Sequence, residues 1–355
     1  MSYPFLNGLR ALSVFLVIAH HLNVFVNLKP LFGSYYQYVS GICSLGFIGV
    51  DIFFVISGFL ITGLLLPVNH TTPNIYRFYV RRFFKIVPSY LAVVGVSYLI
   101  FIPYMYPDTG KVLINYLSFT QNYTAIYYPL GHLWSIAIEE HFYILYPLII
   151  YIIFLVSPKN TQLLRRNLIL ALLALIIIGI ISRYYYFHHT AAIEPWPWQK
   201  THARFDALLI GGLLRCLEPF LPKQQHTKII CSYLSLTLAL ILLFTIRFMP
   251  PYSMNYLDYS IAYLFAAFLI LSCLLSQHFI STILSIGLLQ WVGKNSYGIY
   301  LWHYLLLIVL TKTSLTLPVT WPSIVLILTI IIMVGALSTA TIERFFLKLR
   351  NHIQP

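Results

Sequence analysis

Charged residues are scarce in this chain. Only 9% of its 355 residues are Asp, Glu, Lys or Arg, whereas 59% are hydrophobic, and the mean hydropathy is +0.82. So few charges cannot cover the surface of a soluble protein of this size. The apolar runs are long and continuous, and the alternating pattern of a membrane β-barrel is absent. The sequence therefore predicts an all-α fold, a polytopic integral membrane helical bundle.

Acidic residues are scarcer than basic ones. The chain has 9 Asp and Glu against 22 Lys and Arg, a formal net charge of +13. Such an excess indicates nucleic-acid binding only when the basic residues form a soluble face. Here they fall mostly in short loops between apolar runs, so we expect no nucleic acid partner. With the N-terminus inside, 15 of them lie on the cytoplasmic side and 7 outside, which predicts an N-in, C-in orientation.

Cysteine motifs, metal-binding motifs and internal repeats are also missing. The four cysteines show no CxxC spacing and lie in or beside apolar segments, so we expect free thiols. No HExxH spacing is present, and we expect no metal cofactor. Neither a repeat nor a loop long enough for a separate domain occurs. The sequence predicts a single transmembrane domain over 1–355, with no appended soluble domain.

Ten apolar segments are long enough to be predicted as transmembrane helices. The region 106–131 is more polar and rich in tyrosine, and we expect it to be a surface or re-entrant segment. The ten segments are 8–27, 44–66, 86–105, 132–156, 167–187, 204–221, 229–248, 257–275, 296–312 and 322–342.

The first apolar segment carries an arginine near its start and two histidines near its end. In a helix, the offset of eleven positions from Arg10 to His21 brings the two side chains to within about 20° of one face, about 16 Å apart along the axis. His20 points about 80–100° away from both. An arginine aligned with a titratable ring is more than a passive membrane anchor needs.

Asp51 lies about two turns into the second segment. A carboxylate at this depth costs about 2.5–3.5 kcal/mol on insertion scales, so it needs a partner or water. If the first two segments pack as a hairpin, Asp51 falls near His21 and would fix the tautomer of its ring. The alternative interpretation is a structural cap or a tie to a neighbouring helix.

A basic stretch, YRFYVRRFFKIVP, follows the second segment. On a helix its cations Arg77, Arg81, Arg82 and Lys85 form one ridge. The ridge suits a phosphate site, because guanidinium groups pair bidentately with phosphate. Taken alone, however, the stretch favours a topology signal that contacts anionic lipid headgroups.

Two consecutive carboxylates, Glu139 and Glu140, lie inside the fourth apolar segment. Acidic residues within such a segment are typical of functional sites. His132 and His141 flank them without the spacing of a metal-ligand set, so we do not expect a metal site there.

Other polar positions have structural interpretations. Arg204 and Asp206 can pair with each other, and Gly211–Gly212 allows a close helix approach. We interpret His303, which lies among aromatic residues, as a packing histidine. Glu343 is expected to pair with a cytoplasmic arginine.

Five motifs, in order along the chain, together resemble the membrane-bound acyltransferase-3 family. They are the Arg10-x10-His21 pair, GFIGVDIFFVISGF, the basic RR-K-P loop, LWSIAIEEHFYILYP and SYGIYLWH. The resemblance covers essentially the whole chain. It implies a multi-pass protein of the bacterial inner membrane that moves an acetyl group from acetyl-CoA onto a hydroxyl of a cell-surface polysaccharide. Lipopolysaccharide O-antigen, free or lipid-linked, is the expected acceptor.

The resemblance also suggests roles for the polar residues. Arg10 and His21 match the pair that defines the family. We expect His21 to act as general base or as transient acyl carrier, oriented by Asp51, with Glu139 and Glu140 on the acceptor side. The donor phosphates are expected to rest on a basic set that comprises Arg10, Arg77, Arg81, Arg82 and Lys85.

Two other classes of membrane protein remain as alternatives. A transporter or flippase also carries intramembrane acids and half-buried arginines, but this chain has neither an inverted repeat nor paired Gly/Pro-broken helices. A receptor or scaffold has no need for Arg10 and His21 on one face. Release of free coenzyme A in the presence of a glycan would separate an acyltransferase from both.

Overall fold

The computed structural model describes residues 3–66, 74–124, 128–157, 160–189, 199–248, 256–312 and 318–353. Within these ranges the chain is helical and has no β-strand, which confirms the predicted all-α fold. The α-helices are α1 (Pro4–Phe25), α2 (Lys29–Phe32), α3 (Tyr36–Ser44), α4 (Phe47–Leu65), α5 (Ile75–Ile100), α6 (Ile102–Met105), α7 (Thr109–Leu117), α8 (Trp134–Leu155), α9 (Thr161–His189), α10 (Asp206–Leu217), α11 (Gln225–Phe248), α12 (Tyr256–Leu275), α13 (Phe279–Leu284), α14 (Gly287–Lys312), α15 (Trp321–Ser338) and α16 (Arg344–Ile353).

Helix ends follow local sequence signals. Pro4 occupies the first position of α1, where its missing N–H is not needed. Asp108 precedes α7 and its carboxylate accepts a 2.9 Å hydrogen bond from the backbone N–H of Lys111. Thr320 caps α15 in the same way through the N–H of Ser323.

Eight of the described helical segments are long and apolar enough to cross a membrane. Two of the ten predicted spans fall outside this set. The segment 204–221 contains α10, which has only 12 residues. The segment 296–312 belongs to α14, whose 26 residues include Gln290, Lys294 and Asn295. The chain is therefore a multi-pass helical membrane protein. That it crosses the membrane ten times stays a prediction.

The region 106–131 is short-helical where it is described. It contains α7 and the 3-10 turn Gln121–Tyr123, and it ends where the 3-10 turn Gly131–Leu133 begins. Residues 125–127 of the predicted surface or re-entrant segment lie outside the described ranges.

The contacts divide the chain into two compact units. The first unit comprises Met1–Gly49, Val80–Ser135 and Leu284–Pro355, and the second comprises Val50–Tyr79 and Ile136–Ile283. Each unit is thus assembled from segments that are distant in sequence.

In the first unit, α14 packs against both α1 and α15. A methyl group at Gly293 would overlap the carbonyl of Asn7, so only glycine allows α1 to approach this closely. Gly298 meets Gly335 of α15 in the same manner. These contacts position the histidines that α1 and α14 carry.

In the second unit, α4 and α10 approach through reciprocal glycines. A side chain at Gly58 would overlap the carbonyl of Leu208, and one at Gly211 would overlap that of Val55. This arrangement confirms the close helix approach expected at Gly211–Gly212. It also brings the polar residues of α4 next to those that precede α10.

Candidate active site

The ring of His21 forms a hydrogen bond with a second histidine in the first unit. Nδ1 of His21, on α1, lies 3.0 Å from Nε2 of His303, on α14. Nδ1 of His303 in turn lies 2.5 Å from the backbone carbonyl oxygen of Tyr300. His303 is completely buried, so its contacts are with protein rather than with solvent.

The hydrogen bonds assign the tautomers of both neutral rings. A carbonyl oxygen only accepts, so Nδ1 of His303 carries the proton and donates to Tyr300. Nε2 of His303 is then an acceptor, and Nδ1–H of His21 donates to it. Nε2 of His21 consequently holds an unprotonated lone pair, which is the state that a general base requires.

His20, the neighbour of His21, faces different residues. Its Nδ1 lies 3.3 Å from the carbonyl oxygen of Cys43 at the end of α3. The two adjacent rings therefore have separate partners, as the helical rotation predicts. His20 is a natural control for substitutions of His21.

Aromatic side chains surround the histidine pair. We define the histidine–tyrosine cluster as His21, His132, His303, Tyr300 and Tyr304. The Tyr304 ring lies 4.9 Å from that of His21 and is stacked at 4.9 Å on that of His132. The rings of His132 and His303 are also 4.9 Å apart. The cluster thus holds three imidazoles, one each from α1, the turn before α8, and α14.

Tyr128 and Phe25 extend the cluster. Both rings contact Tyr304, at 6.3 Å and 5.0 Å between centroids. Tyr128 lies outside the membrane-length helices, and burial raises the pKa of its phenol, with a smaller contribution from Tyr106. Its hydroxyl therefore stays protonated at neutral pH.

The predicted donor residues fall into two groups. Arg10, Arg81, Arg82 and Lys85 belong to the first unit, whereas Arg77 belongs to the second. Arg77 is exposed at the start of α5, where its backbone N–H donates to Asn74.

Within the first unit, Lys85 interacts electrostatically with Arg10, Arg82 and Glu343. Glu343 ends a π-helical turn, Thr339–Glu343, and is only 8% exposed. Its own electrostatic partners are Lys85, Arg10 and Arg344. We call Arg10, Arg82, Lys85 and Glu343 the basic cluster. It joins Arg10 to two residues of the predicted ridge through Lys85, which interacts with the other three.

Asp51 has a different partner from the one predicted. In the second unit, Arg204 donates a 2.8 Å hydrogen bond to Oδ1 of Asp51, and both side chains are buried. The expectation that Asp51 orients His21 is therefore corrected, since His303 occupies that position on the His21 ring. The structural alternative, a tie between neighbouring helices, describes Asp51 better.

The expected pairing of Arg204 with Asp206 is also wrong. Asp206 instead pairs with Arg183 of α9 at 2.8 Å. Arg183 is completely buried and also donates to the carbonyl oxygens of Tyr256 and Ala203. Residues two apart point in different directions at the start of α10, so each finds an ion partner on another helix.

The paired acids of α8 belong to the second unit. Glu139 accepts a 2.8 Å hydrogen bond from the hydroxyl of Ser57 on α4, and Tyr143 donates to the same hydroxyl at 3.3 Å. Nδ1 of His141 lies 2.7 Å from the hydroxyl of Thr201. Glu140 is partly buried. Among the described residues, no group of three or more His, Cys, Asp or Glu is arranged to hold a metal ion.

Comparison with known proteins decides the family. Residues 3–341 match the sequence model of a protein family that is described as an acyltransferase domain. The chain belongs to the acyltransferase-3 family. This membership and the fold together describe a membrane acyltransferase.

The names of three curated relatives of this acyltransferase specify an acetyl group, and two of them also name peptidoglycan. It is 31% identical over 349 residues to the peptidoglycan O-acetyltransferase OatA of Listeria monocytogenes, a match that covers 90% of this chain and 51% of the relative. It is 31% identical over 346 residues to the putative peptidoglycan O-acetyltransferase YrhL of Bacillus subtilis, with 90% and 51% covered. It is 30% identical over 325 residues to the O-acetyltransferase OatA of Staphylococcus aureus, with 85% and 50% covered. The chain spans about half the length of these relatives, and no solved structure matches it.

Sequence reasoning missed two histidines of this acyltransferase. His303 was interpreted as a packing residue and His132 only as a flank of the paired acids. Both lie within one turn of an aromatic residue in the motifs SYGIYLWH and GHLW. The signal available in the sequence was that three separate motifs each place a histidine in or beside an apolar segment.

Proposed function

We propose that this acyltransferase moves an acetyl group from acetyl-CoA onto a hydroxyl of a cell-envelope polysaccharide. The observation that carries the proposal is the hydrogen-bonded pair of His21 and His303, which leaves Nε2 of His21 with a free lone pair. The names of the relatives support an acetyl group, and those of the Listeria monocytogenes and Bacillus subtilis relatives support a glycan acceptor.

The chemistry assigned to His21 is proton abstraction. Nε2 takes the proton of the acceptor hydroxyl as its oxygen attacks the thioester carbonyl. A C–O bond forms and the C–S bond breaks, and the proton passes from His21 to the departing coenzyme A thiolate. His303 holds the proton on Nδ1 of His21 and so keeps Nε2 available. An acyl-histidine intermediate is the alternative, and it would appear as a labelled protein after rapid quenching.

The basic cluster is the proposed donor site. Guanidinium and ammonium groups pair with phosphates, and Lys85 brings together two further cations, Arg10 and Arg82, as its electrostatic neighbours. The arm of the donor would then follow α1 from Arg10 toward His21, about 16 Å along the helix. This route requires Arg10 at the cytoplasmic face of a bacterial inner membrane, because acetyl-CoA is made in the cytoplasm.

The proposed acceptor reaches the histidines from the opposite side of the membrane. Lipopolysaccharide O-antigen is the acceptor that the sequence resemblance implies, and peptidoglycan is the one named in the relatives. Glu139 and Glu140 remain predicted acceptor-side carboxylates. Mass analysis of both glycan fractions, from cells with and without this protein, would identify the acetylated one.

The direct test is coenzyme A release by the purified protein. We expect release from acetyl-CoA to depend on an added envelope glycan and to disappear in His21→Ala. His20→Ala is the matched control, because the His20 ring lies beside that of His21 but makes its hydrogen bond with Cys43 of α3, and we expect this variant to keep most of the activity. Equal losses in both variants at equal expression would contradict the role of His21. Glycan movement without coenzyme A release would favour a transporter.

A further inference from the structure

His132 presents a second unprotonated ring nitrogen in the histidine–tyrosine cluster. Its Nε2 lies 3.1 Å from the carbonyl oxygen of Leu301, which only accepts, so Nε2 carries the proton. In the neutral ring, Nδ1 is then a hydrogen-bond acceptor. Among the described residues, Nδ1 of His132 has no hydrogen-bond partner, and the residue is only 2% exposed.

The surrounding contacts prevent the ring from finding another partner. His132 is held by its hydrogen bond to Leu301 and by stacking on Tyr304 with an angle of 17° between the ring planes. Tyr300 donates to the backbone carbonyl of His132 at 2.8 Å. Leaving a buried acceptor unpaired costs about 1–3 kcal/mol. An unpaired buried acceptor in a native structure therefore needs an explanation, and a functional role is one of those that such groups have.

The neighbours of His132 indicate the chemistry of that ligand. The Tyr304 ring contacts those of both His132 and His21, at 4.9 Å from each, and Phe25 packs against it at 5.0 Å. Aromatic faces next to a few fixed polar groups are typical of small-molecule sites. A sugar ring offers both required surfaces, a C–H face for the aromatic rings and hydroxyl hydrogens for an acceptor.

We propose that His132 is an acceptor-binding residue whose Nδ1 takes a hydrogen bond from a second hydroxyl of the sugar that His21 deprotonates. The proposal rests on the proposed acyl transfer. The hydroxyl that reacts has one proton and gives it to Nε2 of His21. The hydrogen bond to His132 must therefore come from another hydroxyl of the same sugar. Acceptors that lack that hydroxyl leave His132 unpaired and are rejected.

Two variants of His132 separate its ring nitrogens. In His132→Gln the amide can still donate to Leu301, but the acceptor at the Nδ1 position is lost. In His132→Asn the amide oxygen takes the place of Nδ1, and the contact with Leu301 is lost. Sugar binding is measured in detergent without donor, using nitrophenyl glycosides of common hexoses and N-acetylhexosamines, each with its set of monodeoxy analogues. Thermal melting verifies that each variant is folded.

For the best-binding glycoside, we expect one deoxy position to weaken binding to the wild type by about 5- to 150-fold, the effect of one unpaired buried group. His132→Gln should lower the affinity for the parent glycoside by a similar factor, and it should bind the parent and that deoxy analogue equally well. His132→Asn should still bind the parent glycoside more tightly than the deoxy analogue, but by a smaller factor. Persistence of the full deoxy effect in folded His132→Gln would overturn the proposal. So would the absence of hydroxyl-dependent binding by any glycoside, or a loss of acetyl-CoA binding in place of sugar binding. Sugar binding without transfer would instead count against the proposed function alone.

Discussion

Removal of the Asp51 carboxylate tests whether this residue stabilises the second unit or serves catalysis. The side chains of Asp51 and Arg204 are 0% and 2% exposed, and their charged groups lie 2.8 Å apart. The Arg204 guanidinium also lies 4.0 Å from the centre of the Tyr259 ring. In Asp51→Ala this cation stays buried without the Asp51 carboxylate, and removal of one member of a buried ion pair is strongly destabilising.

The distance sets the size of the effect. Two unit charges 2.8 Å apart attract by about 6 kcal/mol at an effective dielectric constant of about 20. The Tyr259 ring compensates part of the loss, because a buried cation–π contact contributes about 2 kcal/mol. We therefore expect Asp51→Ala to lower the free energy of unfolding by about 3–5 kcal/mol.

A double-mutant cycle with an internal control provides the assay. The free energy of unfolding is measured in mixed micelles for Asp51→Ala, for Arg204→Met and for the double variant. We expect the free energy of unfolding to fall far less in the double variant than the sum of its decreases in the two single variants. The reason is that the double variant removes both charges of the pair. Arg215 and Glu218 form a partly exposed pair, so Glu218→Ala is the control and should cost less than about 1 kcal/mol.

Two outcomes would refute this reasoning. Additive losses in the cycle would mean that Asp51 and Arg204 do not depend on each other. A stable Asp51→Ala protein without acetyl transfer would return Asp51 to the catalytic role that its position in the sequence suggests.

Three further predictions concern the site. In His303→Leu we expect kcat to fall by roughly 10²-fold, with an unchanged KM for acetyl-CoA. In His303→Gln the side-chain oxygen can still accept a hydrogen bond from His21, so part of the rate should return. Equal kcat values in the two variants would contradict the tautomer assignment. Replacement of Arg81 and Arg82 by Glu should weaken acetyl-CoA binding and reduce its salt dependence in equilibrium binding, and unchanged affinity would leave the ridge as a topology signal. A charged, impermeant thiol reagent should label Tyr79→Cys only from the cytoplasmic side, with protection by acetyl-CoA, and labelling from outside would reverse the orientation.

Composition and helical periodicity determined the class of protein and several local features. A chain with this hydropathy and so few charges has no soluble alternative, so the all-α membrane fold follows directly. The rise and rotation of an α-helix separate His20 from His21 before any neighbour is known. Gly211–Gly212 likewise indicated a close helix contact, because the absence of side chains there is a local property.

The partners of the buried polar groups were decided by tertiary structure. His21 and His303 are 282 residues apart and Asp51 and Arg204 are 153 apart, so no spacing rule connects them. Depth alone suggested Asp51 for His21, but matching depth on two helices does not specify which faces meet. Those faces are selected by glycine contacts such as Gly293 with Asn7, which decide how closely the helices approach. A buried charge or ring then pairs with whichever polar group that packing brings within hydrogen-bond distance, because inside an apolar bundle leaving it unpaired costs more than any alternative pairing.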